Sequence, residues 1–397
     1  MERRRFLAAS AATALSAQRI LGANDRIGIG TIGTGGRGRL LTSEIMENPK
    51  AEMRAVCDVY KPNLELGREA AGGSVPMYED YERLLENKDI DAVVVATPDH
   101  WHARMVIDAV EAGKDVYVEK PMCHEIDEGF DVIEAVRRTK RIVQVGTQRR
   151  SYDIFLEGKK VMESGAVGTV RLVNAWWYNH ASSTRAATLD GDLNWEKWLG
   201  SAPKRPLDAM RFRNWYYFYD YSGGLMIGQA AHVVDCIHWY MDSDFPEAVT
   251  CAGGKIHLDG VEIPETTTMI LEYPEDFVHT FTVGYKAMRY NQARDQLYQF
   301  NGDKARFDVS REWHALYPQD TAATDPKPTL ERKQYGSWPR AAQQHIDNFL
   351  DCIVSRKEPN APVEQGQTTN VALVMALESL KTGKRVRWNA AARKMES

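Results

Sequence analysis

Residues Arg26 to Asp58 read RIGIGTIGTGGRGRLLTSEIMENPKAEMRAVCD, and their order decides the fold. The apolar run RIGIGTIG enters a glycine turn, GTGGRG, at Gly33 to Gly38. After a helix-length stretch, the strand-like segment MRAVCD ends on an acid, Asp58. Gly33, Gly35 and Gly38 fit the G-x-G-x-x-G spacing. Those glycines make a tight turn, let a pyrophosphate approach the backbone, and let helix and strand pack closely. The helix that follows points its free N–H groups at the phosphates. Asp58 stands where an acid grips an adenosine ribose. Strand, turn, helix, strand and terminal acid in that order predict a dinucleotide site built from Gly33, Thr34, Gly35, Gly36, Arg37, Gly38 and Asp58. A merely flexible glycine loop would leave the acid unexplained.

Outward from that stretch, apolar strands and helices alternate as far as Gln148. DAVVVATP, Asp91 to Pro98, is a continuous β-branched run, as expected of a parallel strand buried on both faces. A helix over Asp99 to Ala112 leads to DVYVEKP, Asp115 to Pro121. A helix over Asp127 to Thr139 leads to RIVQVGTQ, Arg141 to Gln148. This is the pattern of a doubly wound α/β unit. Ligands of such sheets sit beyond the carboxyl ends of the strands, and Asp58, Thr97, Lys120 and Gln148 fall at those ends.

Beyond Arg150 the strands lengthen, alternate, and gain Trp, Tyr and Thr. Thr169 to Asn179, Ala248 to His257, Thr266 to Tyr273, Phe277 to Tyr285 and Gln296 to Asn301 are expected strands. Short turns between several of them imply an antiparallel sheet. Helices are expected over Ser151 to Glu163, Ala230 to Met241, Ala341 to Val354 and Gln367 to Thr382. Ser182 to Tyr217 and Leu316 to Trp338 read as long loops. The fold class is α/β: an N-terminal Rossmann doubly wound parallel sheet over 24–148, then a C-terminal α+β domain with a mainly antiparallel sheet over 149–397.

A net charge of −5 gives no support for a nucleic-acid partner. The five cysteines are scattered without a C-x-x-C pair and read as buried thiols; no metal-ligand spacing is present. No apolar run of about 20 residues is available to span a membrane. Met1 to Ala23 differs in kind. Arg3, Arg4 and Arg5 precede Phe6, Leu7 and an alanine-rich run, the charged-then-apolar order of an export signal. RRRFL resembles a twin-arginine signal, which implies an exported, periplasmic protein. A short amphipathic N-terminal helix is the alternative reading.

Glu119-Lys120-Pro121 is the second informative motif. A lysine at a strand end, fixed by a following proline, projects into the crevice and can give or take a proton. A solvated turn lysine is the plainer reading of the same residues.

Together the motifs resemble a family. GTGGRG, Asp58, ATPDHWH at Ala96 to His102, VEKP at Val118 to Pro121 and GTQRR at Gly146 to Arg150 occur in the order seen in the Gfo/Idh/MocA oxidoreductases, the glucose-fructose oxidoreductase and inositol dehydrogenase family. GGLMIGQAAHVVD, Gly223 to Asp235, is similar to that family's glycine segment with a histidine and then an aspartate three residues on. WEKWLGSAP, Trp195 to Pro203, looks like a landmark of exported members. The resemblance runs from about Arg26 to Trp388. It implies that Lys120 hydrogen-bonds the reacting sugar hydroxyl, that His232 is the main acid/base, and that Asp235 supports the substrate or orients His232 from one turn on. Thr97, Pro98, His102, Glu119 and Gln148 would line the nicotinamide crevice. Arg149, Arg213, Tyr219 and Tyr221 are candidates for gripping the sugar, since aromatic faces beside arginines suit a ring and its hydroxyls. They suit a buried loop equally well. One departure stands out: many dehydrogenases of the family carry an aspartate four residues before the histidine, where this chain has Gly228.

The implied cofactor is NAD, because Asp58 would repel the 2′-phosphate of NADP. The implied activity is oxidation of a sugar or polyol hydroxyl. The alternative is a glycoside hydrolase that uses NAD transiently, as some relatives do. Outside the cytoplasm there is no free NAD pool, so tight binding and internal recycling of the cofactor are expected. A non-catalytic NAD-binding regulator would need neither the Glu-Lys-Pro motif nor the histidine helix. Family members commonly associate through the second sheet, which implies a homo-oligomer.

Overall fold

The structure is a computed structural model that describes residues 26–179, 183–285, 294–320 and 322–396. The export-signal reading of Met1 to Ala23 lies outside the described residues. Six parallel strands form the first sheet: β1 (Ile27–Ile32), β2 (Ala51–Cys57), β3 (Met77–Tyr78), β4 (Ala92–Val95), β5 (Asp115–Val118) and β6 (Val143–Val145). Their order, β3-β2-β1-β4-β5-β6, is that of doubly wound dinucleotide-binding sheets. β1, β4, β5 and β6 are buried along their whole length, which is why they read as unbroken apolar runs. The order reverses between β1 and β4, and a crevice opens beyond their carboxyl ends. Asp58, Thr97, Lys120 and Gln148 lie just past β2, β4, β5 and β6.

The second sheet has ten strands: β7 (Val170–Asn179), β8 (Ala248–Gly253), β9 (Thr267–Tyr273), β10 (Phe277–Tyr285), β11 (Gln296–Gly302), β12 (Ala305–Val309), β13 (Trp313–Pro318), β14 (Leu330–Lys333), β15 (Val386–Asn389) and β16 (Lys394–Glu396). All neighbours are antiparallel except β7 and β10, which pair in parallel. Five of these strands, β12 to β16, go beyond the sequence expectation, and β14 lies inside the segment expected to be a loop. They are the outer strands. The two edge strands, β14 (LERK) and β16 (KME), are short and charged and carry little apolar alternation.

The helix Gly224–Met241 begins six residues earlier than expected, because Gly224 and Gly228 mask its first turns. It is buried on nearly every side and packs with the helix Val363–Thr382 against one face of the second sheet. The opposite face leaves Leu172, Ile270 and Val278 exposed. All five cysteines are free and buried. The expected loop Ser182 to Tyr217 contains two short helices, Trp195–Leu199 and Ala209–Arg213, capped by the side chains of Asn194 and Asp208.

Candidate active site

Two glycines of the turn are sterically compulsory. Gly33 has φ +86°, and a Cβ there would lie 2.8 Å from the backbone of Ala96. A Cβ at Gly38 would lie 1.9 Å from the carbonyl oxygen of Gly33. Gly35 and Gly36 differ: a Cβ on either would meet nothing within 4 Å. That open space lies at the start of the helix Gly36–Met46, where free N–H groups converge. The cradle fits a pyrophosphate.

Asp58 faces this cleft and also braces the turn. Its Oδ2 accepts from Thr34 N at 2.8 Å and Thr34 Oγ1 at 3.3 Å, while Oδ1 accepts from Tyr60 N at 2.9 Å. Burial raises its carboxyl to about 6, and the bonds from Tyr60 and Thr34 hold it from going higher. Thr34 is buried and acts through this brace rather than at the cleft wall. Arg39, which sequence reasoning passed over, lines the cleft and donates to the Thr34 carbonyl at 2.8 Å.

The cleft encloses about 800 Å³, and its far wall comes from residues 183–217. This strap is stitched to the Rossmann domain. Asn194 N donates to Val59 O at 2.9 Å and Lys61 N to Asp192 O at 2.9 Å. Trp101 Nε1 donates to Trp198 O at 2.8 Å, and Lys197 pairs with Asp80 at 2.8 Å. The buried Tyr60 hydroxyl accepts from Asp190 N and from Arg213 Nη2. Arg213, Arg185 and Trp215 therefore stand over the cleft. The sequence signal for the strap was the tryptophan-rich stretch Trp195 to Trp215, whose partners lie far away in the chain.

A second space of about 260 Å³ adjoins the first and shares Arg37, Thr97, Arg185, Arg213 and Trp215 with it. Lys120 stands in it, its Nζ donating to Gly228 O at 3.1 Å. Glu119 accepts from Arg37 Nε at 2.7 Å. Burial would raise this carboxyl, but Arg37 and Lys120 together hold it below its ordinary value. Asp99, also overlooked in the sequence, accepts from Ser222 Oγ at 2.6 Å at the same wall. His102 lines the space, yet its Nδ1 lies 2.7 Å from Pro121 O and its Nε2 2.9 Å from Thr97 O. With both nitrogens engaged, the ring is a post that holds the Thr97 and Pro121 turns together.

His232 lies one helical turn beyond Gly228, 8% exposed, with its ring 6.2 Å from that of Trp177. Burial pushes its imidazole well below the usual range, and Arg149 and Lys120 add to the effect. Unlike Lys120, His232 lines neither space, against the expectation that it stands at the reacting centre.

Five expected site residues lie elsewhere or act otherwise. Asp235 does not orient His232: it is buried and held by Arg150 Nε at 2.8 and 2.9 Å, and His232 Nδ1 has no partner. Arg149 is 1% exposed, bonded to Gln296 and sandwiched near Trp177 and Trp338, away from both spaces. Tyr221 is fully buried against Trp198 and His100, and Tyr219 packs under Lys381; neither lines the site. Gln148 lines neither space, and its Oε1 is buried. Gly33, Gly35, Gly36, Arg37, Asp58, Thr97, Pro98, Glu119, Lys120 and Arg213 are brought together as expected, with Gly38 packed beneath.

Sheet order, glycine cradle and strand-end acid define a two-domain dinucleotide-binding protein whose second cavity opens on a lysine. The model of the oxidoreductase family's NAD-binding Rossmann fold matches residues 27–147, and that of its C-terminal alpha/beta domain matches 197–387. The chain belongs to the Gfo/Idh/MocA oxidoreductase family. An uncharacterized oxidoreductase, YrbE of Bacillus subtilis, is 26% identical over 243 residues, 61% of this chain and 62% of that protein. The inositol 2-dehydrogenase of Rubrobacter xylanophilus is 34% identical over 160 residues, 40% of this chain and 46% of its own. A glycosyl hydrolase family 109 protein of Solibacter usitatus is 29% identical over 185 residues, 44% of this chain and 42% of its own. The chain thus spans about half the length of the curated relatives it matches. A solved levoglucosan dehydrogenase, in complex with NADH and levoglucosan, superposes with TM-score 0.72 at 16% identity, covering 91% of this chain and 99% of that one. That likeness is one of fold.

Proposed function

We propose that the protein oxidises a hydroxyl of a sugar or polyol with NAD that it holds tightly and recycles in place. The observation that carries this is that the two spaces share a wall, with Lys120 standing in the smaller one. The cradle of Gly35, Gly36 and the helix start would hold the pyrophosphate, and Asp58 the adenosine ribose, favouring NAD over NADP. When bound, NAD supplies the hydride acceptor. Lys120 spends one N–H on Gly228 O and keeps two for the substrate hydroxyl. The family resemblance makes His232, neutral through burial and one turn beyond Gly228, the acceptor of the hydroxyl proton. The strap over the larger cleft supports slow cofactor release, and the RRRFL segment supports export, where recycling would be required.

A second reading, the NAD-dependent glycoside hydrolase, is favoured by the family 109 relative and by the same cofactor retention. We also propose a homo-oligomer joined through the open face around Leu172, Ile270 and Val278. Light scattering at the 44.9 kDa monomer mass would overturn that.

The main test is mass spectrometry of material released from denatured protein, where stoichiometric NAD is expected. Finding none would sink the retention argument. Loaded protein is then offered sugars and glycosides. Reduction once per site, reversed by a second carbonyl sugar, supports the oxidoreductase. Aglycone release without net reduction selects the hydrolase. NADH accumulating in proportion to added NAD would end the recycling idea.

A further inference from the structure

Resting on that reading of the site, we propose that the substrate is a sugar acid of single-ring size, whose carboxylate is held by Arg185 at the wall of the small cavity. The charges lining that cavity, among the described residues, are Arg37, Lys120, Arg185 and Arg213 against Asp99 and Glu119. Glu119 is spent on Arg37 at 2.7 Å; Asp99, buried and accepting from Ser222 at 2.6 Å, is left to offset Lys120. Arg213 is spent on Asp190 at 3.1 Å. Arg185 is the cation left without an acid partner among the described residues, so the lining carries about one surplus positive charge.

Gly228 is the place where the helix would supply a further acid. A Cβ there would begin 4.0 Å from Lys120 Nζ and meet nothing else. With glycine at that point the cavity keeps an uncompensated positive field, and the ligand must bring the balancing charge.

Arg185 is also fixed in place for the task. Asn214 is only 2% exposed, yet both ends of its amide clamp the main chain of this exposed arginine. Arg185 N donates to Asn214 Oδ1 at 2.6 Å, and Asn214 Nδ2 donates to Arg185 O at 3.0 Å. Part of the ordering cost of binding is thereby met before a ligand arrives. A guanidinium fork matches a carboxylate with two parallel bonds. One free fork suits one carboxylate; the second charge of a phosphate would stay unmatched.

Size and shape agree. About 260 Å³ is just below the ~300–1,000 Å³ of drug-sized sites and suits one ring rather than a nucleotide sugar. Trp215 and Tyr216 line the cavity and offer flat faces to a ring's C–H groups. The ring would turn its carboxylate to Arg185 and the reacting hydroxyl to Lys120.

The test is calorimetric titration of the full chain as purified. D-Glucuronate, D-galacturonate and D-gluconate are each compared with their neutral counterparts glucose, galactose and glucitol, and with glucose 6-phosphate. At least one acid should bind about tenfold or more tightly than its neutral counterpart, by an advantage that shrinks with added salt. Arg185→Gln, an exposed change, should bring that pair to parity. Gly228→Asp should do the same by giving Lys120 an acid, and thermal melts confirm that both variants are folded. Parity of all three pairs in the wild type would overturn the proposal. So would tighter binding of glucose 6-phosphate, or a preference that survives in Arg185→Gln. The comparison rests on the ratio of affinities within each pair, so a failure to find bound NAD would strike the oxidoreductase reading and leave this result standing or falling by itself.

Discussion

The glycine turn and the strap face each other across one cleft and shape it by opposite means. The turn works by having nothing there: Gly33 and Gly38 admit no side chain, and Gly35 and Gly36 leave room for a ligand. The strap works by contact, through Tyr60, Lys197, Asn194 and the Trp198 carbonyl. Steric exclusion is all-or-none, because one methyl group in the wrong place moves the backbone. A strap held by several separate hydrogen bonds loses its grip by degrees. The two walls should therefore respond very differently to substitution.

The largest effect is expected at the turn. Gly38→Ala should abolish dinucleotide binding, since its Cβ would press on the Gly33 carbonyl from 1.9 Å. Titration with NAD checks this, and binding within threefold of wild type would break the contrast drawn above. Next comes Asp235→Ala. It strands Arg150 as a buried, unpaired charge and should cost roughly 3–5 kcal/mol of stability. Denaturant unfolding reads the loss. A slower enzyme of unchanged stability would restore Asp235 to the chemistry.

Lys120→Ala should leave folding and NAD binding nearly intact and slow hydride transfer by roughly 10²-fold, the usual scale for a positioned acid–base group. Single-turnover kinetics on loaded protein measure it. A smaller effect follows pH. Without ligand, the folded Asp58 carboxyl sits at about 6, above the ordinary carboxyl value, so its contribution to stability falls as pH rises from about 4 to about 6. The cofactor's ribose needs the ionised form. NAD affinity should therefore weaken as pH falls below about 6, approaching tenfold per pH unit, and the preference over NADP should narrow with it. A flat affinity between pH 5 and 7 would remove Asp58 from the ribose site. The smallest change belongs to the strap. Tyr60→Phe removes one acceptor shared by Asp190 and Arg213, and should speed NAD dissociation about threefold to tenfold. Stopped-flow displacement tests this, and no change would mean that the strap does not gate release.

The same contrast explains what was legible in the sequence. Rossmann strands are largely buried and glycine turns obey local sterics, so β1, β2, β4, β5, β6 and the cradle could be read directly from residue order; β3, two residues at the sheet's edge, could not. Lys120 was legible because the strand-end position and the following proline are local too. The pairing of Asp235 with Arg150 was not, since it joins residues far apart in the chain. Arg185 and Asn214 carried no motif, and their meaning depends on where the strap lands. The aromatics near Tyr219 and Tyr221 looked like a sugar platform, but they lie outside the small cavity, whose wall carries Trp215 and Tyr216. The edge strands β14 and β16 of the second sheet escaped because charge, rather than alternation, is what a sheet's edge needs.

The wall shared by the two cavities has a thermodynamic consequence. Arg37, Thr97, Arg185, Arg213 and Trp215 border both, so a ligand that settles these side chains on one side presents a different surface to the other. Whatever factor the dinucleotide gains in affinity from a bound sugar, the sugar must gain from a bound dinucleotide. Arg185, Arg213 and Trp215 belong to the strap, so it would carry part of that coupling between the two proposed occupants.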